Sequence, residues 1–541
     1  MACSNLIVSK GATTDGSTFI TYAADSHVRY GQLRYCPAAD HEPGEMLKLY
    51  NYGSLKFQIE IPQPAHTYQV VGFINEHQLA IGETTWGGRD ELAHGSGVGI
   101  DYGNLIYVTL QRAKNCREAI KVMHELVSTY GYSDGGESFS IADPDEVWIY
   151  EIINKGDEKG AVWVARRVPD GYICGHANQA RITTFPWEGK KVKNSISSKH
   201  IDKIFGKDIE CVYSEDVASF ARKRGFYSGS DADFSFADTY APLTFSGLRG
   251  CDARVYAMFN RVADGMQRYE KYAMGDPKAE RLPLWVKPSH QVELREVMNL
   301  MRDHYEGTSM DMSKDLGGGP FNCPYRWRPM GFELDGHTYV HERATSTQQT
   351  GFSFVAQCRS WLPDKVGGII WFGVDDTYST VYVPMYCGIT EIPLCFRQGN
   401  GDMVTYSETS AFWLFNRVSN FVYSRYSDMI VDLQKVQTRL EEGYIRDVQK
   451  FDARAEKSEG EALARQLNDF CTRQAAKMMA EWNTLDKYLL VKYMDGNIKK
   501  EKDGKFERTS TGQAVFPSQP AYREEWLRMI VRDHGDVIRE K

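Results

Sequence analysis

Short strand-like runs separated by turn residues recur through the first 400 residues of this 541-residue chain. Residues 3–9 (CSNLIVS) and 18–25 (TFITYAAD) flank GATTDGS, which contains an Asp-Gly hairpin signal. The runs 69–74 and 79–85 predict a second hairpin. Strands joined by short turns pair in opposite directions, so this series predicts a large and mostly antiparallel sheet.

Residues 113–130 carry a helical pattern instead. Apolar side chains recur there at spacings of three and four and form one stripe: Ala119, Ile120, Met123, Leu126, Val127 and Tyr130. A helix with a single apolar stripe packs that face on a sheet. Antiparallel strands with helices packed outside them predict an α+β fold.

The character of the chain changes at about residue 408. Gly and Pro almost vanish between 408 and 495, and a polar tail with a short helix near 521–533 follows. We therefore expect two units, a sheet-containing domain over 3–407 and a helical extension over 408–541 that packs on it.

The bulk composition excludes several classes of function. The formal charge is −8 and the Lys and Arg residues form no stripe, so nucleic-acid binding is not expected. No apolar run is long enough to span a membrane. The 11 Cys form no CxxC pair, HExxH is absent, and GSGVGI at 95–100 lacks the GxGxxG spacing. We expect no metal and no cofactor.

A cysteine at position 3 stands almost at the chain terminus, directly before a strand-like run. If Cys3 were the first residue, its own α-amine, with a pKa of about 7.7–8.0, could take the thiol proton near neutral pH. One residue would then supply both nucleophile and base. From the position alone, a buried and inert cysteine remains the alternative reading.

The order of several segments makes the chain resemble a known family. The segments are CSNLIVSKGATTDGST followed by Asp25-Ser26, NEHQLAIGETTW at 75–86, HANQARI at 176–182, SWLPDKVGGIIWFG at 360–373 and TVYVPMYCGITEIP at 380–393. Together they resemble the cysteine dipeptidases of the N-terminal nucleophile (Ntn) hydrolase superfamily. That family includes the secernins and is distantly related to penicillin V acylase and bile salt hydrolase.

The resemblance implies a four-layer αββα sandwich and metal-free hydrolysis of dipeptides through a thioester. Cys3 matches the nucleophile, and Asp25 matches an acidic residue that contacts its amine and thiol. Asn178 matches the residue whose side chain helps to form the oxyanion hole, and Arg254 matches a second site arginine. Many relatives carry Arg three positions before the acid, where this chain has Tyr22.

Further candidates for substrate binding are Tyr22, Glu83, Thr85, Trp86 and Arg89. Thr85 falls near an oxyanion contact of the related acylases, and Trp86 could wall a side-chain pocket. The glycines that follow permit a bend into a cleft. A plain hairpin end is the structural alternative for this segment.

A dipeptide needs a countercharge at each end. Asp25 or Glu83 would meet its ammonium, and Arg89 or Arg254 would meet its carboxylate. A solvated turn aspartate, a loop amide at Asn178 and a helix-surface arginine are the alternative readings.

Residues 1–2 block the proposed base, since removal of Met1 leaves Ala2 ahead of Cys3. The hypothesis therefore requires cleavage of the Ala2–Cys3 bond by the protein itself, a signal peptidase or another peptidase. A leader cleavage there would place the protein outside the cytoplasm or in the periplasm, and otherwise a cytoplasmic location is expected. Homo-oligomerisation stays open.

Two rival functions remain at this level. One is an amidase or acylase acting on N-acyl amino acids or bile-salt-like conjugates on the same fold. The other is a non-catalytic, secernin-like binding protein, in which the helical extension would serve a partner.

Overall fold

A computed structural model describes residues 2–93 and 98–540, so Met1 and residues 95–97 of GSGVGI lie outside it. The strands are β1 (Ala2–Val8), β2 (Thr18–Asp25), β3 (Tyr35–Cys36), β4 (Ala39–Asp40), β5 (Met46–Tyr50), β6 (Phe57–Pro62), β7 (His66–Thr67), β8 (Val70–Val71), β9 (Ile74–Asn75), β10 (Ala80–Trp86), β11 (Gly136–Ala142), β12 (Val147–Lys155), β13 (Glu158–Arg167), β14 (Ile173–His176), β15 (Ser195–Ser197), β16 (Cys211–Tyr213), β17 (Trp285–Val286), β18 (Gly331–Leu334), β19 (His337–Val340), β20 (Thr350–Cys358), β21 (Ile369–Val374), β22 (Val383–Tyr386), β23 (Glu501–Lys502) and β24 (Lys505–Phe506).

The helices lie between and after these strands. They are α1 (Asp90–Ala93), α2 (Tyr102–Leu110), α3 (Cys116–Tyr130), α4 (Val217–Lys223), α5 (Phe236–Tyr240), α6 (Phe245–Gly247), α7 (Ala253–Val262), α8 (Glu270–Ala273), α9 (Leu294–Leu300), α10 (Asp364–Gly367), α11 (Ala411–Tyr423), α12 (Tyr426–Ala455), α13 (Gly460–Tyr493) and α14 (Glu524–His534). Among the residues described, no helix combines the length and apolarity needed to cross a bilayer.

Two large sheets dominate the fold. The first has the order β17-β14-β1-β2-β20-β21-β22, and the second has the order β15-β16-β13-β12-β11-β10-β9-β8-β3. They face each other where His176 on β14 hydrogen-bonds to Thr84 and Ser140 of the second sheet. Helix α3 covers the outer face of the second sheet, and α7 packs against β1 and β14 of the first. The predicted α+β sandwich is confirmed.

The start of the chain is an interior strand of the first sheet. β1 pairs with β2, with Cys3 opposite Ala24, and also with β14, with Asn5 opposite His176. Its apolar residues Leu6, Ile7 and Val8 are fully buried, and burying each stabilises the strand by about 1.5–3 kcal/mol. This burial holds β1 in the sheet, and the pairing of β1 with β2 confirms the predicted first hairpin.

The second predicted hairpin differs from the structure in one respect. The run 69–74 is two short strands separated by a turn at Gly72, whose φ is +60°. A Cβ there would lie 2.7 Å from Leu33, so glycine fits this position. β10 pairs with β9 only at Ala80–Ile74. Within the described residues, the later part of β10 therefore has no strand partner on that side.

The helical predictions agree with the structure except at the boundaries. Helix α3 begins at Cys116 because Asn115 caps it by accepting a hydrogen bond from the Glu118 N–H. The region after residue 408 is helical, and α12 packs on the core through a buried ion pair between Glu441 and Arg302. The division of the chain at residue 407 stays a prediction.

Candidate active site

Cys3 lies near the start of β1, and both of its backbone groups are held. Its N–H donates to Oδ1 of Asn178 at 2.7 Å, and its carbonyl oxygen accepts from Nη1 of Arg254 at 2.5 Å. Its sulfur lies 3.8 Å from Oε1 of Glu83, and only 2% of the residue is exposed. These contacts fix the backbone that carries the thiol.

Asn178 follows β14 with a left-handed backbone, φ +60°, which asparagine adopts more readily than most residues. Its Oδ1 accepts from Cys3 N–H and, at 2.9 Å, from Nη2 of Arg254. Its Nδ2 donates to the Thr85 carbonyl oxygen at 2.5 Å. These partners fix the orientation of the amide. An amide nitrogen carries two hydrogens, and within the described residues Asn178 uses one of them, so the other can meet a further acceptor.

Arg254 connects the start of β1 with the segment that follows β14. Its buried guanidinium donates to the Cys3 carbonyl, the Ser4 hydroxyl, the Asn178 side chain, the Ala177 carbonyl and the Gly250 carbonyl. A π-helical turn at Leu248–Asp252 leads into α7 just before it, a feature common near functional sites. Burial, together with Arg343 nearby, lowers the pKa of Arg254.

Asp25 is fully buried at the end of β2, opposite Ala2. One carboxylate oxygen pairs with Arg343, and the other accepts from the Thr350 hydroxyl at 2.6 Å. Burial raises the pKa of Asp25, and Arg343 partly offsets that rise. Its negative charge is therefore already paired with the Arg343 guanidinium.

Glu83 lies at the unpaired edge of β10, where its Oε1 accepts a hydrogen bond from the Tyr22 hydroxyl. Gly82 allows this approach, because a Cβ there would lie 3.3 Å from the Tyr22 Cβ and 2.8 Å from Nδ2 of Asn5. Tyr22 therefore lies beside the thiol and serves as the donor to Glu83.

Glu137 on β11 is a site residue that the sequence reading did not include. It lies opposite Thr85 in the strand pairing and is fully buried. Burial and the neighbouring Glu83 carboxyl raise its pKa well above the usual range. Its only sequence signal is a glutamate within a segment, GESFSIA, that otherwise has the composition of a buried strand.

The resting thiol is neutral in this setting. Burial raises the pKa of Cys3 well above its usual value, and the carboxylates of Glu83 and Asp25 raise it further. The Asp25 backbone N–H opposes that rise only in part. A nucleophilic role for this sulfur would therefore require a base to remove its proton.

Two predicted substrate contacts lie further from the thiol. The Trp86 indole is buried and donates to the Ser138 hydroxyl at 3.1 Å. Arg89 donates to the Thr239 carbonyl at 2.6 Å and stacks over the Phe226 ring at 4.6 Å. The structure therefore brings Cys3, Asn178, Arg254, Glu83 and Tyr22 together. Trp86 contacts Ser138 instead, and Arg89 contacts Thr239 and Phe226.

The described residues line surface cavities away from Cys3. One of about 600 Å³ lies beside Trp361, and one of about 460 Å³ lies beside Asp143. No group of three His, Cys, Asp or Glu residues with the arrangement of a metal site occurs in the part of the chain that the structure describes. The candidate site is defined by side-chain geometry.

Comparison with known proteins shows the family of this chain. The family model of peptidase family C69 matches residues 56–439. The chain belongs to peptidase family C69. This C69 peptidase is accordingly a peptide-bond hydrolase. The matched range includes Glu83, Asn178 and Arg254, and it begins after Cys3.

Relatives of this C69 peptidase extend over most of its length. It is 24% identical over 527 residues to a probable dipeptidase of Latilactobacillus sakei, covering 92% of this chain and 98% of that protein. It is 24% identical to a probable dipeptidase of Salmonella dublin, covering 72% and 82%, respectively. It is 23% identical to probable dipeptidase B of Lactococcus lactis, covering 80% and 83%.

Proposed function

We propose that this C69 peptidase is a cysteine dipeptidase that acts with Cys3 as its first residue. The observation that carries the proposal is the pair of contacts on Cys3, with its nitrogen 2.7 Å from Asn178 Oδ1 and its carbonyl on Arg254. After cleavage of Ala2–Cys3, that nitrogen becomes an amine held beside its own thiol. The relatives' names support dipeptides as substrates.

The reaction begins with proton transfer. The neutral α-amine of Cys3 takes the thiol proton, and the sulfur attacks the peptide carbonyl carbon. The carbonyl oxygen becomes an oxyanion, which accepts a hydrogen bond from the remaining N–H of Asn178. As the C–N bond breaks, the ammonium of Cys3 returns its proton to the leaving amine, and a thioester remains.

The second half regenerates the enzyme. The amine takes a proton from water, and the hydroxide attacks the thioester carbonyl. The sulfur leaves and recovers the proton from the amine, so the thiol is restored and a free carboxylic acid departs. Arg254 touches no reacting atom in this scheme. It positions Cys3 and Asn178 relative to each other.

Two rival functions make different predictions. An acylase would prefer N-acyl amino acids over dipeptides, and a panel containing both substrate types separates the two. A non-catalytic binding protein would hydrolyse neither. The buried carboxyls beside the thiol favour a substrate that carries a positive charge, which supports the dipeptide.

The test replaces two cysteines of the same sheet separately. Cys3→Ala should lower kcat for a dipeptide by roughly 10⁴-fold or more, since it removes the nucleophile. Cys174→Ala, on the neighbouring strand β14 and equally buried, should keep activity within about 3-fold, because this change deletes only a core sulfur. Full activity in Cys3→Ala would contradict the proposal.

A further inference from the structure

Three buried carboxyl oxygens near Cys3 have no basic side chain as a hydrogen-bond donor among the described residues. They are Oε2 of Glu83 and both oxygens of Glu137, and the Glu137 carboxyl lies close enough to Glu83 and to the Thr85 hydroxyl to interact with both. Glu83 is 1% exposed and Glu137 is 0% exposed. Leaving such oxygens unpaired costs free energy, so native proteins rarely keep them without a partner.

Within the described part of the chain, no cation pairs with these two carboxyl groups. Neighbouring basic side chains are already used, since Arg254 donates to backbone and amide oxygens and Arg29 donates to the Tyr102 hydroxyl at 2.9 Å. With no cation bound, Glu137 keeps a proton, as the rise in its pKa beside Glu83 indicates. An ammonium offers three N–H donors in a compact group and could take the place of that proton.

Distances from the nucleophile show which ammonium could reach this position. A reacting carbonyl carbon lies about 3–3.5 Å from the attacking atom. The α-nitrogen of the same residue is about 2.5 Å from that carbon, from standard bond lengths and the N–Cα–C angle. Glu83 Oε1 is 3.8 Å from the Cys3 sulfur. The α-ammonium of the residue that supplies the scissile carbonyl therefore falls within reach of Glu83.

We propose that Glu83 and Glu137 bind the free α-ammonium of the substrate and so place the first peptide bond of a peptide at Cys3. This inference rests on the proposed function and specifies its substrate. The enzyme would select substrates with one residue, with a free amine, before the scissile bond. Glu137, absent from the sequence reading, would be a specificity-determining residue.

The substrate test needs no variant. Alanyl-phenylalanine and propionyl-phenylalanine differ only in the ammonium, so the ratio of their kcat/KM values measures its contribution. We expect a ratio of roughly 30 or more, because the second compound buries the carboxyls unpaired. N-acetyl-alanyl-phenylalanine should be cleaved as poorly as the propionyl compound. A ratio near unity would overturn the proposal.

The variant test removes the carboxyl charge while keeping its shape. Glu137→Gln should reduce that ratio by about 10-fold or more, mainly through KM for alanyl-phenylalanine. Glu158→Gln is the matched control: it also removes one carboxylate from the second sheet, on β13, where Glu158 pairs with Lys223. It should leave the ratio unchanged. An unchanged ratio in Glu137→Gln would contradict the site.

Failure of this inference is distinguishable from failure of the proposed function. Alkylation of Cys3 by iodoacetamide, followed by mass spectrometry, reports on the nucleophile without any ammonium. If hydrolysis depends on Cys3 but both substrates react equally, the ammonium site alone is wrong. If alanyl-phenylalanine is cleaved equally well by Cys3→Ala, the proposed function is wrong and the inference falls with it.

Discussion

Replacement of Asn178 by Asp separates positioning from oxyanion stabilisation. Aspartate has the same shape, so one oxygen can still accept from Cys3 N–H and Arg254, which now lie at 2.7 and 2.9 Å from Oδ1. The second oxygen replaces Nδ2 and cannot donate to the Thr85 carbonyl or to an oxyanion. The variant therefore keeps what holds Cys3 and loses the proposed catalytic donor.

The expected loss follows from that single donor. One oxyanion donor contributes about 2.7–4 kcal/mol in other hydrolases, so kcat should fall by roughly 10²–10³-fold. The new carboxylate also lies within hydrogen-bond distance of the Cys3 amine and favours its protonated form. Because the mechanism needs the neutral amine, the pH at which kcat/KM is half-maximal should move upward.

The assay is dipeptide hydrolysis against pH, with thermal unfolding measured in parallel. Asn322→Asp is a suitable control, since Asn322 also has a left-handed backbone, φ +54°, and lies in the loop beside α12. It should keep kcat within about 3-fold. A folded Asn178→Asp enzyme with nearly full kcat would refute the oxyanion role. An unchanged pH profile would refute the placement of the amine.

Two further predictions concern charge in the buried site. Glu83→Gln should accelerate iodoacetamide alkylation of Cys3 at pH 8, since the Glu83 carboxylate raises the thiol pKa; slower alkylation would show that Glu83 instead activates the thiol. Burial lowers the pKa of His176 to about 3, so its contribution to stability is present above pH 6.5 and lost as the pH falls towards 3. Urea unfolding should show that this group lowers the free energy of unfolding by about 4 kcal/mol between pH 6.5 and pH 3. The His176→Asn variant should lack this loss. Parallel plots of unfolding free energy against pH for the two proteins would contradict the prediction.

The sequence could predict the fold because its signals were local. Strand runs such as 18–25 and the stripe on 113–130 depend on neighbouring residues, and both appear as predicted. The prediction of one strand over 69–74 was wrong, because Gly72 adopts a left-handed backbone and divides the run. A side chain at Gly72 would contact Leu33. That contact joins distant segments, and no periodicity in the run reports it.

The candidate site was predictable only in part for the same reason. Cys3, Asn178 and Arg254 were named from the order of family-like segments, and their contacts with each other join residues up to 251 positions apart. Arg343, which neutralises Asp25, lies in an irregular segment with no motif. Glu137 could have been flagged, since a carboxylate inside an apolar strand requires a partner. The nearby Glu83 carboxyl, which raises the pKa of Glu137, becomes apparent only when the strands are paired.

The most direct test of the account is the mass of the amino-terminal peptide in active enzyme labelled by a thiol-reactive dipeptide analogue. The account predicts that the labelled peptide begins at Cys3, that it carries the label on that residue, and that activity is lost in proportion to labelling. A fully active protein that retains Ala2, or a label on any other cysteine that abolishes activity, would contradict it.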